Sequence, residues 1–176
     1  MITVETVHTV DSNFFFSGTT EVPKVTYIGL VETKSQQGDI KSSPFRFSNF
    51  QVQSITISKD SELLPSPVGF RDLVWSGPNM NYNKAYFSLY DYDSKVNLGT
   101  SIDLRDYPSS FCLYKFSNGY LYTEAHDHLE LPRVACNRLS IIFHPNSDNP
   151  SLQCMVYTEK SANIAITGAR EILKDY

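Results

Sequence analysis

Apolar residues in this chain recur mostly at every second position, the period of a strand with one buried face. In ITVETVHTV (2–10), Ile2, Val4 and Val10 fall on one face, with Thr3, Glu5 and Thr9 on the other. KVTYIGLVE (24–32) is apolar on both faces, as an interior strand would be. KAYFSLYDY (84–92) sets Ala85, Phe87 and Leu89 against Tyr86, Ser88 and Tyr90, which predicts a further strand. SFCLYKF (110–116), NRLSIIFH (137–144) and LQCMVYTE (152–159) follow the same rule, and ANIAITGA (162–169) reads as a last strand. No segment longer than a couple of turns keeps the helical period. The one predicted helical turn is SIDLRDYP (101–108), closed by Pro108.

Turn signals separate these runs: Gln37-Gly38-Asp39, Ser76-Gly77-Pro78-Asn79, Asn118-Gly119 and the stretch from Pro145 to Pro150. Seven or eight strands joined by turns predict an all-β fold, an antiparallel sandwich or barrel. With no internal repeat, low-complexity tract or linker, residues 1–176 read as a single domain. Within SSPFRFSNFQVQSITI (42–57) the alternation slips. Phe50 and Val52 share one parity while Ile55 and Ile57 hold the other, which predicts a bulge or bend near Gln53-Ser54.

Composition narrows the function. Of 176 residues, 41% are hydrophobic and 19% charged, with a formal net charge of -4, values that suit a globular chain. Mild acidity without any Lys/Arg run argues against direct nucleic-acid binding. No apolar stretch has the length of a membrane-spanning helix, and the N-terminus lacks the pattern of a signal peptide. Cys112, Cys136 and Cys154 sit in strand-like runs without paired spacing. They read as reduced, buried thiols in an intracellular compartment.

Sites for chemistry are sparse. EAHDHLE (124–130) gathers His126, Asp127, His128 and Glu130, and His126 and His128 would share a strand face as metal ligands do. No third anchor is visible elsewhere, and a solvated loop is the plainer reading. Asp91 and Asp93 in DYDSK fail the calcium-loop spacing. His144 closes an apolar strand and reads as a cap at a sheet edge. With no nucleophile elbow and no phosphate loop, the chain reads as a non-enzyme that needs no cofactor. The aromatic clusters are Phe14–Phe16, Phe45/Phe47/Phe50 and Tyr82/Tyr86/Tyr90/Tyr92. They suit a sandwich core, a subunit contact, or a β-sandwich module that binds glycan or peptide through Tyr-rich loops.

Several phrases, in order, resemble one family. VPKVTYIGLVETKSQQGDIKSSPFRFSNFQVQSITI (22–57) matches a strand, a "GLVD" stretch, a Gly-containing loop and "NPFNF". KAYFSLYD (84–91) follows, and DLRDYPSSFCLYKF (103–116) is similar to "ISREDYPNGYTLYAFDL". The segments NRLSIIFH and CMVYTEKSANIAITGAREILKDY, between 137 and 176, are similar to its closing strands and terminal Asp-Tyr. The chain thus resembles the C-terminal jelly roll of the double-jelly-roll major capsid proteins of Maverick/Polinton elements and adintovirus-like viruses. Those proteins are more than twice as long, and SNGYLYTEAHDH (117–128) replaces their "DLTPD" stretch.

The resemblance implies an antiparallel jelly-roll β-sandwich of about eight strands with one short helical turn. It implies a structural protein that self-associates into trimeric capsomers, or pairs with another jelly-roll domain, inside the cell and then in a virion. Phe45, Phe47, Phe50, Tyr107, Pro108 and Tyr176 become the structural or interface residues. Phe45 and Phe47 are expected to plug the end of the sandwich while Arg46 faces out.

Overall fold

A computed structural model describes residues 2–7, 11–15, 25–59, 62–63, 69–90, 102–117, 137–145, 150–159, 164–166 and 172–174. The elements, in chain order, are β1 (Ile2–Val7), β2 (Asp11–Phe15), β3 (Val25–Glu32), α1 (Thr33–Gln36), β4 (Val52–Lys59), β5 (Glu62–Leu63), β6 (Gly69–Phe70), α2 (Asn83–Ser88), α3 (Tyr107–Ser110), β7 (Leu113–Ser117), β8 (Asn137–Phe143), β9 (Leu152–Glu159), β10 (Ile164–Ile166) and β11 (Ile172–Lys174).

Strands dominate and the helices are short, so the all-β class holds. One antiparallel sheet runs β1-β9-β3-β7, and a second runs β2-β8-β4-β5 with β6 also paired to β4. β10 and β11 form a separate hairpin ladder. Residues of both sheets share one apolar core, including Ile28, Leu30, Tyr114, Leu152 and Val156 from the first and Val52, Ile55, Leu139 and Ile141 from the second.

Local sequence explains the ladders. In β8, Leu139, Ile141 and Phe143 are buried while Ile142 between them is 39% exposed, the alternation of a one-sided strand. β3 is buried on both faces over most of its length and is paired on both edges, to β7 and β9, as its continuous apolar run required.

Two expectations about local structure are corrected. Residues 84–90 do not form a strand: Asn83–Ser88 is α2, with Leu89 continuing the turn. Tyr82, Ala85, Tyr86 and Leu89 all belong to the core or pack on it, a spacing of i, i+3, i+4, i+7 that alternation alone had hidden. Pro108 does not end a helix; it stands in the first turn of α3. A ring that lacks an N–H and fixes φ suits that position, where the amide has no helical partner. His144 is corrected too: it directly follows β8, an interior strand between β2 and β4, so the strand it closes is not a sheet edge.

Candidate interaction surface

The slip in alternation within 42–57 is a real bulge: β4 pairs with β8 with a register shift between Val52 and Ser54. The chain enters it through a tight turn in which the Val52 amide donates to the Asn49 carbonyl at 3.0 Å. Phe50 (φ 43°) and Gln51 (φ 55°) both occupy the left-handed region, the geometry of a type I′ turn. Asn49 Oδ1 accepts from the Gln51 amide at 2.8 Å and steadies the turn. The backbone groups loosened by the bulge find other partners. Trp75 Nε1 donates to the Val52 carbonyl at 2.7 Å, and the Leu73 amide donates to the Gln53 carbonyl at 2.9 Å. His144 Nε2 lies 2.6 Å from the Leu73 carbonyl, which can only accept, so that nitrogen carries the proton. His144 is thus a clamp on the 71–75 segment.

Upstream of the turn, residues 45–49 lie along α3 and the start of β7. Phe47 forms a parallel bridge with Phe111: its amide donates to the Ser110 carbonyl at 3.2 Å, and the Cys112 amide donates to the Phe47 carbonyl at 3.1 Å. The Asn49 amide and Nδ2 both donate to the Pro108 carbonyl. Arg46 Nε and the Ser48 hydroxyl donate to the Ser109 carbonyl. Backbone and polar groups therefore fix this seam.

The rings along it divide. Phe47 is half-buried and lies on Gly29, where a Cβ would stand 2.5 Å from Phe47 Cδ1. Phe50 is half-buried and packs on the core. Phe45 is 70% exposed and Phe111 46% exposed, which corrects the expectation that Phe45 plugs the sandwich. The reason is the path of the main chain. Held by the Ser43 hydroxyl through its amide, Phe45 lies two residues before the bridge and outside the backbone bonds that seat Phe47. Arg46 is exposed, as expected.

The tyrosines divide the other way. Tyr82 is buried, stacked on Trp75 at 5.4 Å and on Tyr107 at 6.2 Å between ring centroids. Tyr86 meets Tyr107 edge-on at 5.5 Å and donates to the Ile102 carbonyl at 2.7 Å, and Tyr90 donates to the same carbonyl at 3.2 Å. The Tyr90 hydroxyl beside it, with burial next, pushes Tyr86 up to about 12. Fully buried Tyr107 donates to the Leu113 carbonyl at 2.9 Å.

Behind the seam lies a polar knot. Cys112 and Tyr114 are fully buried beside Tyr107, and among the described residues the Tyr114 hydroxyl has no oxygen or nitrogen hydrogen-bond partner. Burial pushes the Cys112 thiol up to about 12 against weaker opposing hydrogen bonds from the two tyrosines. Burial, reinforced by Cys112, also raises both tyrosines well above the ordinary range. Such groups stay protonated at neutral pH, so this cysteine is no nucleophile.

The structure brings Phe47, Pro108 and Tyr107 together along one seam, with Phe50 at its end. It ties Tyr82 and Tyr86 to Tyr107 as well. His126, His128, Tyr92 and Tyr176 lie outside the described residues, as do Asp91, Asp93 and Cys136. Trp75, Phe111 and His144 were missed as parts of this surface and its support. For Phe111 a signal was present, an aromatic at the second position of the SFCLYKF run with the parity opposite to the buried Cys112 and Tyr114. Among the described residues no helix is long and apolar enough to cross a membrane. No family model matches the chain, and no curated protein or solved structure matches it either.

Proposed function

We propose that this chain is a jelly-roll domain of the capsid-protein type. It acts by associating with copies of itself or with a second jelly-roll domain, forming trimeric capsomers inside the cell that become part of a virion. On this reading it catalyses nothing, needs no cofactor and contacts nucleic acid only indirectly.

One observation carries the jelly-roll reading. Along the chain β1, β3, β7 and β9 belong to the first sheet, while β2, β4, β5, β6 and β8 belong to the second. With β5 and β6 serving together as one broken strand, the orders 1-9-3-7 and 2-8-4-(5,6) are those expected of two interleaved Greek keys. Self-association is supported by the seam, where Phe111 stands exposed on backbone bonded to Tyr107 and Leu113, and Phe45 stands exposed two residues before the pinned Phe47. Such rings order little on docking and so lose little entropy. The Tyr-rich alternative, a glycan or peptide platform, gains nothing here, because the Tyr82 ring and the Tyr86 hydroxyl are already engaged.

Sedimentation at rising concentration tests the proposal. The average mass is expected to rise above that of one chain, and Phe45→Ser with Phe111→Ser to reduce the rise without lowering Tm. A single species of monomer mass at the highest concentration would overturn it.

A further inference from the structure

We propose that a shallow cavity on the outer face of the second sheet binds a neutral, polyhydroxylated ligand of monosaccharide size. The cavity measures ≈ 300 Å³ and is lined by Gln53, Ser54, Thr56, Arg71, Asp72 and Ile142. That volume is at the lower end of small-molecule sites.

Three backbone features build it. In a regular strand Gln53 and Ser54 would face opposite sides, but the bulge lets both line one concavity. Asp72 holds φ at 54°, a left-handed conformation that is uncommon outside glycine, and it lines the cavity beside Arg71. At Gly69 a Cβ would stand 2.7 Å from the Thr56 methyl, so glycine there leaves Thr56 its place in the wall.

The five polar side chains make no hydrogen bond or ion pair to any described residue, although strained and bulged backbone gathers them. Between them they offer a guanidinium, an amide, two hydroxyls and a carboxylate, donors and acceptors in close alternation. The formal charges of Arg71 and Asp72 cancel, so neither a simple anion nor a simple cation is favoured. Neighbouring hydroxyls of a neutral ligand can each give and take a hydrogen bond here. Ile142, 39% exposed, supplies an apolar patch for the C–H face of a sugar ring. None of these residues belongs to the Phe45–Phe111 seam, so the site stands or falls apart from self-association.

The test is an amide-resolved NMR titration of the full chain with the methyl glycosides of glucose, galactose, mannose and N-acetylglucosamine, and separately with inorganic phosphate. At least one glycoside is expected to shift residues 53–56, 71, 72 and 142 in a saturable way. Arg71→Met and Asp72→Asn, the second keeping a residue tolerant of positive φ, should each weaken that binding at least roughly tenfold with Tm unchanged. The proposal is overturned if no glycoside shifts these amides, if phosphate shifts them as strongly as any sugar, or if both variants bind as the parent does.

Discussion

In segment 45–50 the main chain makes the attachments: the Phe47 and Asn49 amides donate to α3 carbonyls and the Phe47 carbonyl accepts from Cys112, just before β7, while the Phe45 ring is left in solvent. In segment 82–90 the side chains make them, with Tyr82 inside an aromatic stack and the hydroxyls of Tyr86 and Tyr90 both on the Ile102 carbonyl. Both segments are aromatic-rich and flank the same helix, α3. An aromatic residue therefore becomes core or surface according to which part of it the fold has already used. Rings on a pinned backbone are free to meet a partner; rings that do the pinning are not.

The sharpest way to break this contrast is to truncate one ring from each set. Tyr107, fully buried among Tyr82 and Tyr86, is expected to cost about 3–5 kcal/mol as Tyr107→Ala, measured by denaturant unfolding. Phe45→Ala is expected to stay within about 0.5 kcal/mol. Equal losses would mean that the exposed ring is holding the fold after all.

Alkaline pH probes the buried knot behind the seam. The Cys112 thiol, raised from 9.0 to about 12, is neutral in the folded chain over a range where the unfolded chain ionises. A raised folded value means that its contribution to stability is whole below pH 9 and lost as pH climbs toward 12. At 1.36 kcal/mol per pH unit the loss is at most about 4 kcal/mol, and the raised Tyr107 and Tyr114 add to the same slope above pH 10. Cys112→Ala should flatten the curve most near pH 9, where an unfolded tyrosine is still mostly protonated and contributes least. An unchanged slope would show that water reaches the thiol.

How far the sequence foretold these regions depends on what each signal encodes. The bulge at Gln53-Ser54 was legible because a change of parity between Val52 and Ile55 has few backbone solutions. The interior place of β3 was legible from apolar residues on both faces. α2 was not, since Ala85, Phe87 and Leu89 alternate while Tyr82, Ala85, Tyr86 and Leu89 repeat as a helix, and only burial chooses between the two periods. The different fates of Phe45 and Phe47 were not legible either. They depend on bonds to Ser110 and Cys112, more than sixty residues away in sequence, and on the missing side chain of Gly29. The cavity residues carried no readable motif, because they meet only where β4, β8 and the segment after β6 come together.

The intermediate case, Phe47, sharpens the comparison. Its ring is half-buried on Gly29, so Phe47→Ala should cost about 1–2 kcal/mol. Gly29→Ala should cost about 1–3 kcal/mol, because the new Cβ would meet the ring at 2.5 Å. In the double variant the ring is gone, and Gly29→Ala should lose much of its penalty, a coupling of about 1 kcal/mol in a denaturation cycle. Strict additivity would place the clash on Leu113 instead, whose Cδ2 lies 2.9 Å from the same Cβ.

The smallest effect expected is a gain. Phe50 and Gln51 occupy the centre of a type I′ turn, where Asn-Gly is the favoured pair and each residue here pays for positive φ. The Gln51 side chain is exposed, and its backbone bonds, to Asn49 Oδ1 and from the His144 amide, need no side chain. Gln51→Gly should therefore stabilise by about 0.5–1 kcal/mol, the relief of strain exceeding the added freedom of the unfolded chain. Phe50→Gly at the other central position should not, since its ring packs on the core and would be lost with the strain. Melting curves of the two variants check this. A destabilised Gln51→Gly would mean that the left-handed pair is stiffening the pinned backbone on which the exposed rings depend, so association should then weaken in that variant as well.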